Sequence, residues 1–180
     1  MSLPTVSGGQ THSLITVVSP DRDDNGQVNR VCEALDDAGE RYVVHTHPPI
    51  RAEADLPLTG LDWTRSIKTL AFELPDDTVA LVGVPGPARV SYGAVARALG
   101  VSRSQLRAAS AQTLAGLGMT PGGVSPVCAD PGVVVLLDAS LPAAGSVYCG
   151  GGDPTSTIEL DAAAVARVAV RFVVADLTRD

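Results

Sequence analysis

Residues 116–126, GLGMTPGGVSP, restrict the chain more than any other stretch. The paired glycines Gly122 and Gly123 and the prolines Pro121 and Pro126 exclude a helix interior and make a poor central strand. The run is read as a rigid loop whose backbone N–H groups are left free, and such groups can be aimed at a carbonyl oxygen or an anion. A Gly/Pro run by itself usually means a surface turn. The loop gains a chemical meaning only from what the rest of the chain puts beside it.

A chain of 180 residues that is 45% hydrophobic can bury a proper core, and with aromatics at 3% that core must be built from Val, Leu, Ala and Ile. Residues 1–25, rich in Ser, Thr, Gly and Asp, are read as a flexible or loosely docked extension, and residues 26–180 as a single domain. The net charge of −7 means that any nucleic-acid contact must use a local patch. Arg51, Arg65, Arg89, Arg103 and Arg107 are the candidates. Three widely spaced cysteines, Cys32, Cys128 and Cys149, form no CxxC pair and suggest free thiols in a reducing cytoplasm. No apolar run is long enough to span a membrane. Lys68 is the only lysine among 13 basic residues. Where a charge alone suffices this chain uses Arg, so Lys68 is a candidate for a role that needs a compact ammonium.

Apolar spacing predicts a helix over residues 28–38, ended by Gly39. Residues 41–46 read as a strand, and residues 66–74 and 78–84 as a hairpin turning at Asp76-Asp77. Helices are expected at 91–99, from Ser102 (with Gln105 in a capping-box position), at 111–117 and at 162–168. Further strands are expected at 133–137, 146–149, 156–160 and 170–175. Hairpins mixed with clustered helices imply an α+β fold: a small mixed β-barrel or sheet with helices packed outside. Within the strand at 66–74, Lys68 shares parity with Leu70, Phe72 and Leu74, which points it toward the apolar face. His45 and His47 lie two apart but lack a third ligand nearby, so no metal site is expected. The triplet Gly150-Gly151-Gly152 lacks the spacing of a nucleotide-binding loop.

Six pieces occur in this order: VHTH ending at His47, IKTLAF around Lys68, VPG at 84–86, AVARALGV at 94–101, LAGLGMTPGGVSP at 114–126, and the glycine triplet followed by TIEL at 157–160. Together they resemble the YbaK family, free-standing relatives of the prolyl-tRNA synthetase editing domain. The resemblance spans roughly residues 28–176. It implies a mixed barrel-like α/β fold and a trans-editing hydrolase that deacylates mischarged tRNA, namely proline tRNA carrying a small amino acid such as Cys or Ala. It also implies the site. Lys68 and Gly122 are the catalytic candidates; Gly123, Val124, Ser125, Pro126, His47, Gly150, Gly151 and Thr157 are the substrate-binding ones. No metal or cofactor is implied. The expected partners are the 3′ acceptor end of an aminoacyl-tRNA and a prolyl-tRNA synthetase, without DNA or membrane, in the cytoplasm.

Three residues depart from the family's cysteine-clearing members, which commonly carry Tyr at the position of His47, Ser at Gly150 and Asp at Thr157. The amino acid removed is therefore left open. The departures also motivate an alternative, a non-catalytic module that binds aminoacyl-tRNA ends or a synthetase.

Overall fold

The computed structural model describes residues 29–179. The expected N-terminal extension, and the first residue of the helix expected from Val28, lie outside the described residues. Asn29 opens helix α1 (Arg30–Asp37): its side-chain oxygen accepts from the N–H groups of Val31 and Cys32, as an N-cap should. The helix buries Val31 and Leu35. Strand β1 (Tyr42–Thr46) follows, and two short 3-10 turns, Glu53–Thr59 and Trp63–Arg65, lead into β2 (Ile67–Glu73) and β3 (Val79–Pro85). Next come β4 (Arg89–Val90), α2 (Tyr92–Ala98), β5 (Arg107–Ala108) and α3 (Ala111–Gly116). The remainder is β6 (Val133–Asp138), β7 (Ser146–Gly150), β8 (Ser156–Asp161), α4 (Ala162–Val168), β9 (Arg171–Ala175) and β10 (Thr178–Arg179).

Among the described residues the fold is mixed α/β, with three sheets rather than a closed ring. The largest has the order β5-β2-β3-β6-β9, with β2 antiparallel to β3 and β6 parallel to both β3 and β9. A second, antiparallel sheet has the order β1-β8-β7, and β4 pairs with β10. The two larger sheets meet where Ser66, just before β2, bridges Tyr148 of β7. The β2–β3 hairpin turns through Asp77 at φ 63°, with the Thr78 N–H held by the Asp76 carboxylate.

Strand β6, buried along its whole length, explains the layering. Val133, Val135 and Leu137 join the cluster shared with α1, α3, α4 and the second sheet, while Val134 and Leu136 join the cluster beneath α2. A strand covered on both faces reads as a continuous apolar run, and VVVLLD does.

Ser102 begins only a one-turn 3-10 segment, Arg103–Gln105, not the expected helix. The Gln105 carboxamide does accept from the Ser102 N–H at 2.8 Å. The chain then straightens because Arg107 and Ala108 pair with Glu73 and Phe72 at the edge of β2.

Candidate active site

Strand β5 pairs with β2 only at Phe72 and Glu73 and β7 bridges it only at Ser66, so residues 67–69 have no ladder partner on that side. A cavity of about 210 Å³ lies there. Ile67, Lys68 and Thr69 all line it, consecutive residues that could not share one face of a strand. Its other walls are His47 and Ile50, Trp63, the loop residues Gly122 and Val124, Tyr148 to Gly150, and Pro154, Ser156 and Thr157. A larger concavity, about 680 Å³ and lined by Glu73, Gln105, Arg107 and Thr113, contains none of the expected catalytic or substrate-binding residues, only the basic-patch candidate Arg107.

Lys68 keeps the parity expected of it, and Leu70, Phe72 and Leu74 pack into the cluster beneath α2. At Lys68 that apolar face has run out. The side chain is exposed and its Nζ donates to the Ala88 carbonyl at 2.8 Å. One of three ammonium donors is thus spent on anchoring the head at the cavity mouth, and two remain for a ligand.

The Gly/Pro loop is stitched to the glycine triplet. Thr120 N–H donates to Gly152 O and Gly152 N–H to Gly123 O, both at 2.8 Å. Gly123 N–H is not free, since it closes a turn onto Thr120 O at 3.0 Å. The N–H groups of Gly122 and Val124 make no hydrogen bond among the described residues. Gly122 has φ +89°, a backbone that favours glycine.

Of the expected residues, His47, Lys68, Gly122, Val124, Gly150 and Thr157 are brought together on the cavity. Gly123, Ser125, Pro126 and Gly151 are not among the residues that line it. Ser125 is fully buried, and its Oγ accepts from Val127 N–H at 3.2 Å. Gly151 donates its N–H to Ser156 O.

His47 and Thr157, on different strands' ends, are hydrogen-bonded partners. His47 Nδ1 lies 2.9 Å from the Pro48 carbonyl, which only accepts, so in the neutral ring Nδ1 carries the proton. Nε2 then accepts from the Thr157 hydroxyl at 2.8 Å. The lone pairs of Thr157 Oγ1 are left for the cavity, which has no carboxylate among its lining residues. His45 is paired with Glu159 at 2.9 Å instead, and its hydrogen bond holds that carboxyl below the usual range. Cys149 lines the cavity, but burial pushes its thiol up to about 12, partly offset by the Ser125 hydroxyl. It stays protonated and is a poor nucleophile.

Sequence reasoning missed Trp63 and Tyr148 as cavity residues. Trp63 carried the same signal as Lys68: it is the only tryptophan of the chain. Arg65, a basic-patch candidate, is pinned, donating to Ser146 O from Nε at 3.1 Å and Nη2 at 2.9 Å with its guanidinium 5.0 Å from the Tyr148 ring centre. Arg51 and Arg89 are exposed.

The turn after the glycine triplet is organised by Asp153. Burial alone would raise its carboxyl, but hydrogen bonds from the Thr155 and Ser156 hydroxyls and the Thr155 N–H outweigh that and hold it below the ordinary aspartate value. A carboxyl whose folded-state pKa is depressed contributes stability that is complete above the unfolded value, about 3.9, and lost as pH falls through the folded one. Urea denaturation at pH 7, 5 and 3 should therefore show a steeper loss below about pH 4 for the wild type than for Asp153→Asn. Parallel curves for the two proteins would remove Asp153 as the acid-sensitive element.

A family model described as "Aminoacyl-tRNA editing domain" matches residues 47–168, starting at the cavity's histidine and ending with α4. Among solved structures, the hypothetical protein APE2540 superposes with a TM-score of 0.69 at 25% identity, covering 83% of this chain and 99% of that one. A proposed trans-editing enzyme for prolyl tRNA synthetase superposes with a TM-score of 0.67 at 26% identity, covering 84% of this chain and 96% of that one. A search of curated proteins returned no match. With the family model spanning most of the described residues and the whole candidate site, this chain belongs to the aminoacyl-tRNA editing domain family.

Proposed function

We propose that the domain is a trans-editing deacylase that hydrolyses the ester between a small, wrongly attached amino acid, such as cysteine or alanine, and the terminal adenosine of proline tRNA. The observation that carries this reading is that Lys68, Gly122 and Val124 line one small cavity. Water adds to the carbonyl carbon, negative charge builds on the carbonyl oxygen, and the C–O bond to the ribose breaks. The ribose oxygen takes up a proton, leaving free amino acid and intact tRNA. The Gly122 and Val124 N–H groups are the donors available to the developing oxyanion. Lys68 holds the phosphate or ribose end of the substrate and adds a positive field. No carboxylate or ionised thiol lines the cavity, and this reading assigns the rate to positioning and electrostatics.

The cavity volume of about 210 Å³ suits a small aminoacyl group. A prolyl-tRNA synthetase as docking partner, and action in the cytoplasm, belong to the same proposal. The test is a panel of tRNAs carrying correct and incorrect amino acids, with free amino acid measured over time. Release of cysteine or alanine from proline tRNA, with correctly charged tRNAs spared, is the expected result. Saturable binding of a stable aminoacyl-adenosine analogue with no release from any tRNA would instead make the domain a non-catalytic module.

A further inference from the structure

Trp63 lies outside the hydrophobic core. It lies in neither core cluster, is only half-buried, and lines the cavity beside Lys68. Its backbone is rigidly held. Asp62 caps the 3-10 turn through the Thr64 N–H at 3.0 Å. The Trp63 carbonyl accepts from both Ser66 N–H at 3.1 Å and Ser66 Oγ at 2.7 Å. Gly86 N–H donates to Ser66 O at 2.8 Å, and a Cβ on Gly86 would lie 3.3 Å from the Trp63 carbonyl, so the end of β3 braces the same turn.

The other aromatic ring of the cavity is already occupied. Tyr148 has the Arg65 guanidinium over it and the His45 ring edge-on at 5.7 Å. Among the described residues, Trp63 makes no aromatic or cation–π contact, and its indole N–H has no hydrogen-bond partner. In a chain whose aromatic content is 3%, the one indole keeps part of its surface exposed on a rigid turn that lines the same cavity as Lys68.

We propose that the Trp63 indole is a purine-stacking subsite that receives the terminal adenine of the substrate, with Lys68 taking the adjoining phosphate. This rests on the deacylase reading and adds the residue that holds the base. A rigid aromatic face binds a base through its π surface, and an ammonium beside it supplies the point charge a phosphate needs. The acidic chain thereby recognises its polyanionic substrate at the acceptor end, by one stack and one local cation.

The sole tryptophan makes the test direct. Emission of the intact protein is followed during titration with adenosine 5′-monophosphate and, separately, uridine 5′-monophosphate. Saturable quenching by the adenine nucleotide at lower concentration than by the uracil nucleotide is expected. In deacylation, Trp63→Ala should raise KM about 10-fold with kcat nearly unchanged, the size expected for a lost base stack. Trp63→Phe should recover most of that loss, and both variants should melt near the wild-type temperature. Absence of quenching, equal quenching by both nucleotides, an unchanged KM in Trp63→Ala, or a loss that phenylalanine fails to restore would each overturn the subsite. Selective quenching of a protein that releases no amino acid would keep the subsite and remove the proposed reaction. Deacylation without quenching would do the reverse.

Discussion

Lys68→Ala is expected to lower kcat/KM for deacylation of misacylated proline tRNA by on the order of 100-fold while leaving the melting temperature unchanged. The magnitude combines a lost charge-assisted contact to the phosphate with the lost positive field near the developing charge. The unchanged stability follows from where the residue sits. Its side chain is exposed, and its one side-chain hydrogen bond among the described residues, to the Ala88 carbonyl, can be replaced by water. Lys68→Arg keeps the charge but not the compact head. A guanidinium is planar and forks its donors, so it cannot hold the Ala88 carbonyl and still aim the remaining donors as an ammonium does. Arginine should therefore recover only a small part of the rate. Its rescue should be larger in KM than in kcat if the charge serves phosphate binding. Initial rates for wild type, both variants and a no-protein control, with thermal melts of each, check this. Equal ester loss in the wild type, Lys68→Ala and the control would remove both the residue's role and the reaction.

Lys68 also shows how far parity reasoning reaches. Alternation correctly put it on the face of Leu70, Phe72 and Leu74, and the β2–β3 hairpin and its turn at Asp76-Asp77 were equally legible. Parity treats a strand as having two faces, whereas the cavity lies on a third side, the edge that β5 leaves unpaired. That edge depends on pairing between residues far apart in the chain. The two-residue strands β4, β5 and β10 escaped for the same reason: no periodicity can be seen in two residues, and only their partners define them. The Gly/Pro loop was recognised as rigid, yet which of its N–H groups are free depended on Gly152 and Thr120. The family resemblance put Ser125 among the substrate-binding residues with the rest of its loop. Its contact with Val127 N–H and its full burial give it a structural task. The family resemblance supplied Gly150 as a place where relatives carry serine. It could not show that in this chain the position is sterically closed.

That closure leads to the second large effect, at the seam between the two glycine loops. A Cβ on Gly123 would lie 2.2–2.3 Å from the N, Cα and C atoms of Asp153, and a Cβ on Gly150 would lie 2.3 Å from the Val124 carbonyl oxygen. These are backbone atoms, which cannot swing aside as a side-chain end can. Overpacking of this kind typically costs about 1–3 kcal/mol and occasionally more. Gly123→Ala should fall at the upper end, because it forces the loops apart and weakens the Gly152 N–H to Gly123 O bond along with them. Gly150→Ser, the residue found in cysteine-clearing relatives, should not import their specificity. It should displace Val124 and lower kcat for every misacylated tRNA. The paired change Gly123→Ala/Gly150→Ser should cost less than the sum of the two, since both wedge open one contact. Gly116→Ala is the control: nothing lies within 4 Å of its added Cβ, at the last residue of α3, so its stability should match or exceed the wild type. Urea midpoints for the four variants, read beside their deacylation rates, decide the matter. A wild-type midpoint for Gly123→Ala would mean that the seam yields freely, and the rigid loop on which the proposed oxyanion donors depend would have to be abandoned.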